Sequence, residues 1–212
     1  MYTMDTFTVF RVYMARELCS HCGFSTKTCL CDSINIINNR LKIIILRHPS
    51  EEKITKNTAH LLNLGLANCQ IIAGESEQDF VSLQTLPKSS TAVLYPSHDA
   101  WCLDEQSSEV NIFKQTLTHL IVIDGTWKKA FKMRQLTPSL QQFKTVSFKQ
   151  LPQNQYLIRK APREDSLSTL EAVAHSLHLI EQLDVTPLYK LLAALVDKQT
   201  KHMPEDVRAR YL

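Results

Sequence analysis

A chain of 212 residues, 44% hydrophobic and 21% charged, is long enough to close one hydrophobic core. No apolar run approaches the roughly 18 residues of a membrane span, and Asp5 and Arg11 interrupt any secretory leader, so the expected setting is the cytoplasm, with no membrane partner and no obligate protein partner evident. A net charge of +3 is compatible with RNA without arguing for it, and the four glycines, at 23, 65, 74 and 125, spell neither a dinucleotide-binding G-x-G-x-x-G nor a P-loop.

Residues 1 to about 18 carry no usable period. Cys19, Cys22, Cys29 and Cys31 follow, four of the six cysteines within thirteen positions. In a reducing compartment such a cluster reads as a metal site rather than as disulfides. Four thiolates suit tetrahedral zinc and leave no open coordination position, so the site is expected to be structural. A redox pair and four unliganded thiols are the alternatives. Residues 1–38 are taken as a small zinc-binding module and 39–212 as the main domain. Cys69 and Cys102 stand alone and are expected to be buried as small hydrophobes.

From residue 41 the chain alternates. Strands are expected at 41–46, 69–73, 91–95, 121–124, 144–148 and 156–158. Helices are expected at 55–66, 109–118, from Lys128 to Arg134, at 168–182 and at 187–201. Ser168, Thr169, Leu170 and Glu171 read as a capping box, and Pro187 sits where the first helical turn tolerates it. Strand–helix alternation predicts an α/β fold with a mainly parallel sheet and flanking helices.

Three apolar strands end in polar, turn-forming clusters: Arg47-His48-Pro49, Tyr95-Pro96-Ser97 and Asp124-Gly125-Thr126-Trp127. If the strands are parallel, these clusters lie along one edge of the sheet, where open α/β sheets bind ligands. The helix after Trp127 opens with Lys128 and Lys129, the wrong sign for a helix N-terminus. A local rule broken beside a strand end points to function.

These clusters carry a resemblance. Cys19-Cys22-Cys29-Cys31, Arg47-His48-Pro49-Ser50-Glu51, Leu94-Tyr95-Pro96-Ser97, Asp124-Gly125-Thr126-Trp127 and Leu167-Ser168-Thr169-Leu170-Glu171-Ala172 stand in the order of the DTW-domain family. Asn57-Thr58 and Arg159-Lys160-Ala161-Pro162 also fit. The resemblance implies a SPOUT-like fold with a knotted C-terminal half that grips S-adenosylmethionine. It further implies transfer of the 3-amino-3-carboxypropyl group to N3 of a tRNA uridine, which bacterial members similar to this chain carry out in the variable loop. The competing readings are an RNA methyltransferase using the same donor and a zinc-containing RNA-binding protein without catalysis.

Uridine N3 carries a weakly acidic proton, so its attack needs a base or an orienting acceptor, and Asp124 is the candidate. Burial would make it a better base, while Lys128 and Lys129 would oppose that. The alternative is an N-cap. Trp127 is expected to stack on a base or cover the pocket, or else to be an ordinary core aromatic. Leu94, Tyr95, Pro96, Ser97, Asp124, Gly125, Thr126, Leu167, Ser168 and Thr169 are expected to line the donor site. Arg47 and His48 would hold RNA or the methionine carboxylate. Lys128, Lys129, Lys132 and Arg134, with Arg159 and Lys160, would meet phosphates, which supplies affinity rather than sequence choice.

Overall fold

The computed structural model describes residues 17–52, 57–151 and 167–201. Six strands pair entirely in parallel: β1 Lys42–Arg47, β2 Cys69–Ala73, β3 Thr91–Leu94, β4 Trp101–Cys102, β5 His119–Asp124 and β6 Lys144–Ser147. Their order across the sheet is β2-β1-β5-β3-β6-β4. The helices are α1 Ala59–Gly65, α2 Ser108–Thr116, α3 Trp127–Leu136, α4 Thr169–Glu181 and α5 Thr186–Thr200.

The central strands are the ones with unbroken β-branched runs, because a parallel sheet is covered on both faces and leaves no polar side. Alternate residues feed two cores. Ile43 and Ile45 of β1, with Leu120 and Val122 of β5, pack with Leu61 and Leu62 of α1, Val173 and Leu177 of α4 and Leu191 and Leu195 of α5. Ile44, Leu46 and Ile121 face the other way, onto Phe80, Leu83, Met133 of α3 and Phe143. Leu30 and Ile37, from the cysteine-bearing segment and its exit, join the first of these cores.

Helix α4 spans the sheet from end to end. It opens beside the C-terminal strand ends with the predicted capping box: Glu171 N donates to Ser168 Oγ at 3.3 Å and Ser168 N to Glu171 Oε2 at 2.8 Å. It finishes at the start of β1, where Leu41 N and Arg40 N donate to the Glu181 carboxylate at 2.7 and 2.9 Å.

Two expectations need correction. Cys69 and Cys102 are only partly buried, because they sit on β2 and β4, the two edge strands of the sheet, which have a neighbour on one side alone. The partial burial of Cys69 still pushes its thiol up to about 12. The helix expected at 55–66 is shorter in the described residues, as α1 begins at Ala59. The strand expected at 156–158 and the loop with Arg159 and Lys160 lie outside the described residues.

Candidate catalytic site and metal centre

Because β1, β5 and β3 are neighbours and parallel, their C-terminal ends lie side by side. Arg47 pairs across from Asp124, and His48 N donates to the Asp124 carbonyl at 3.0 Å. On the other side Leu94 pairs with Val122, so Tyr95, Pro96 and Ser97 leave β3 beside the end of β5.

Asp124 is only 2% exposed, yet its carboxylate meets polar groups. Asn57 Nδ2 donates to Oδ2 at 2.7 Å, and the Thr169 hydroxyl donates to Oδ1 at 2.6 Å. Asn57 Oδ1 in turn accepts from Ala59 N at 2.8 Å, and Thr58 Oγ1 accepts from Leu170 N at 3.3 Å. One carboxylate therefore ties the end of β5 to the first turns of α1 and α4. It is not the cap of α3: that role falls to Thr126, whose hydroxyl accepts from Lys129 N at 3.4 Å. Gly125 eases the packing of this turn, since a Cβ there would lie a tight 3.2 Å from the Lys129 Cβ.

Around this buried acid the other predicted residues vary in exposure. Trp127 is 47% exposed, which excludes an ordinary core aromatic. Thr126, Lys128 and Pro96 are exposed, Leu94, Tyr95, Ser97, Gly125, Leu167 and Thr169 half-buried, and Ser168 buried. The Arg134 guanidinium lies 4.6 Å over the Tyr95 ring, a cation–π contact.

The expected basic stripe divides. Lys129 Nζ binds Glu51 Oε1 at 2.9 Å, and Glu51 is buried. Lys132 Nζ binds Glu75 Oε1 at 2.7 Å, which is the first reason that the Glu75 carboxyl lies below its ordinary range. His48 Nδ1 accepts from Ser50 N at 3.2 Å, and its Nε2 faces Glu75 at 3.5 Å. Arg47 reaches Glu52 at 3.2 Å, while its buried Nε has no hydrogen-bond partner among the described residues. Three contributors were not singled out as site residues in the sequence: Asn57, Glu51 and Glu75. Asn57 and Glu51 had a signal, since both stand in segments that fit the family pattern. Glu75 had none, since a single sequence does not reveal which acid meets which lysine.

The Lys129–Glu51 pair makes a measurable prediction. In Lys129→Met the Glu51 carboxylate stays buried without its counter-charge. Stability to urea should fall by about 2 kcal/mol, less than the loss typical of a fully buried pair, because Lys129 is partly solvated. Replacing both partners, Lys129→Met with Glu51→Leu, should recover most of that loss.

The four clustered cysteines converge. Their sulfurs all lie within 4.8 Å of one another, with Cys19–Cys31 at 3.5 Å and Cys22–Cys29 at 3.7 Å. A tetrahedral zinc with Zn–S bonds of about 2.3 Å places sulfurs roughly 3.8 Å apart, so the set fits that ion. Hydrogen bonds from the Cys22 and His21 backbone pull the Cys19 thiol down to about 6, while Cys29 and Cys19 push Cys31 up to about 12. A divalent ion among the four sulfurs would allow all of them to ionise. Gly23 turns the chain between the pairs at φ +71, and His60 of α1 meets the Cys22 carbonyl at 2.8 Å.

The parallel α/β sheet, the buried acid at a strand end and the four-sulfur cluster define the class, and the comparisons give the family. The chain belongs to the DTW domain family, whose match runs over residues 16–200. It is 31% identical over 196 residues to tRNA-uridine aminocarboxypropyltransferase 2 of Drosophila melanogaster, covering 86% of this chain and 76% of that one. It is 32% identical over 196 residues to the protein of the same name from Macaca fascicularis, covering 88% of this chain and 65% of that one, so it spans about two thirds of that relative. Similarity to tRNA-uridine aminocarboxypropyltransferase A of Arabidopsis thaliana is 28% over 197 residues, covering 78% and 73%. No solved structure matches the chain. No helix among the described residues is long and apolar enough to cross a membrane.

Proposed function

We propose that this protein is a cytoplasmic tRNA-uridine aminocarboxypropyltransferase of SPOUT-like, C-terminally knotted fold, acting at N3 of a uridine in the tRNA variable loop. The observation that carries the reading is Asp124, buried at the end of β5 between Asn57 and Thr169, beside the half-exposed Trp127, in a chain whose relatives bear the transferase's name. S-adenosylmethionine is the donor substrate: it supplies an electrophilic γ-carbon whose C–S bond breaks as the N3–C bond forms, releasing methylthioadenosine and the N3 proton.

The chain's own residues position and polarise. Leu94, Tyr95 and Pro96 with Leu167 offer an apolar shelf for a nucleoside, and Ser97, Thr126, Ser168 and Thr169 offer hydroxyls around it. The buried, unpartnered Arg47 Nε fits the carboxylate of the methionine arm. Among the described residues, Asp124 accepts from Asn57 on one carboxylate oxygen and from Thr169 on the other. A carboxylate has further lone pairs, so it serves first as the acceptor that orients the uridine N3–H, and takes the proton as the bond forms. Trp127 supplies a stacking face. His48, Lys128, Arg134, Arg159 and Lys160 hold the RNA, while Lys129 and Lys132 mainly shape the site through their acids. Zinc on the four cysteines is structural.

Incubation with unmodified tRNA and S-adenosylmethionine, followed by nucleoside mass spectrometry, tests this. The expected result is 3-amino-3-carboxypropyluridine with one methylthioadenosine per modification. S-adenosylhomocysteine as the by-product would instead establish a methyltransferase, and tRNA binding with no mass gain a non-catalytic binder.

A further inference from the structure

Given the tRNA reading just proposed, on which this rests, we infer that Phe131 is a further substrate-positioning residue, whose ring stacks on an unpaired nucleotide flanking the target uridine. Helix α3 has two unlike flanks. On one, Lys129 and Lys132 turn toward the ends of β1 and β2 and are neutralised by Glu51 and Glu75. On the other, Trp127, Phe131 and Arg134 follow one another at i, i+4 and i+7, a spacing that puts them on one side of a helix. Ala130 and Met133 are buried between the flanks.

The second flank is aromatic and open. Trp127 is 47% and Phe131 57% exposed, and Arg134 continues the row to the Tyr95 ring at the end of β3. The row starts three residues after Asp124, so it is continuous with the proposed reaction site. Trp127 and Phe131 lie about 6 Å apart along the helix axis. Adjacent exposed rings of this size mark a contact surface rather than ordinary surface scatter.

The chemistry of the row selects the occupant. Flat π faces and a planar guanidinium are what unpaired RNA bases stack on once splayed from a loop. Lys128 is exposed next to the first ring, where a phosphate would follow a stacked base. Aromatic rings and Arg also mark protein–protein faces, but lysine is depleted there, so the exposed Lys128 beside the rings and the continuity with Asp124 favour RNA. A nucleotide beside the target, held on Phe131, would anchor the target loop on α3 without touching the reacting atoms.

The test uses the full chain with a tRNA transcript, measuring tRNA Kd, KM and kcat, S-adenosylmethionine affinity and sedimentation. Phe131→Ala should raise Kd and KM for tRNA about tenfold or more, with kcat at saturating tRNA and donor affinity unchanged. Phe131→Tyr should restore wild-type values, and Phe131→Leu, which keeps the apolar bulk without a π face, should not. Phe131 is exposed, so none of these changes threatens the fold. The inference is overturned if Phe131→Leu binds tRNA like wild type, if Phe131→Ala leaves KM unchanged in an enzyme that modifies tRNA, or if Phe131→Ala acts only by dissociating a dimer. Wild-type protein that neither binds nor modifies tRNA would refute the tRNA reading and this inference together.

Discussion

Asp124→Asn should reduce transfer to tRNA by at least about 100-fold in kcat, on the scale of losing a positioned acid–base group, while S-adenosylmethionine still binds. The substitution is informative because the pocket around it can stay in place. The new amide has one acceptor and one donor where the carboxylate had two acceptors. Asn57 presents an N–H to Oδ2 and cannot reverse it without giving up its bond to Ala59 N, so the amide oxygen must face Asn57. The amide N–H2 then meets Thr169, whose hydroxyl can rotate from donor to acceptor. The tie between β5, α1 and α4 survives, but the proposed acceptor of the N3 proton does not. Asp124→Ala is the contrasting case: it strands the buried Asn57 N–H and should cost about 1–3 kcal/mol of stability as well. Single-turnover kinetics with isothermal titration of the donor separate the two effects. Wild-type turnover in Asp124→Asn would remove the carboxylate from the chemistry.

Stripping the metal should be the other large perturbation. The purified protein is expected to carry one equivalent of zinc by elemental analysis, and Cys22→Ser should lose it. Metal binding in small four-ligand sites is worth roughly 10 kcal/mol or more in isolated peptides, of which only part is needed here, because Leu30 and Ile37 are already anchored in the main core. A clear fall in melting temperature is therefore expected on chelation, without complete unfolding. Activity should fall with it. His60 of α1 touches the Cys22 carbonyl, and three residues earlier Asn57 holds the Asp124 carboxylate. Loosening the cysteine cluster thus loosens the support of the acid. Chelated protein with an unchanged melting curve and full turnover would contradict both links.

What the sequence revealed follows from which interactions are local. Leu120 to Ile123 read as a buried strand because a strand covered on both faces leaves no alternation to hide it. Ser168 and Glu171 read as a capping box because both partners lie within one turn. Cysteine spacing announced the cluster because the ligands are neighbours in the chain. Edge position was invisible, so Cys69 and Cys102 were placed too deep, and β4, only two residues long, is too short for any periodic signal. The basic residues of α3 looked like one stripe. Glu51 and Glu75 divide it, and these acids lie far back in the chain, brought there by the pairing of β1 with β5 and of β2 with β1. The two hydrogen bonds on Asp124 were hidden for the same reason.

The three side chains at the heart of the site come from positions 57, 124 and 169, and β5, which carries the middle one, is inserted between two strands made before it. A nascent chain that has reached Asp124 therefore has its acid without the hydroxyl that will hold it, and only the arrival of α4 completes the set. Assembly of such far-separated partners is slow relative to local structure. On the proposed function, competence to modify RNA thus waits for α4, so chains that end before Thr169 should be silent rather than poorly selective.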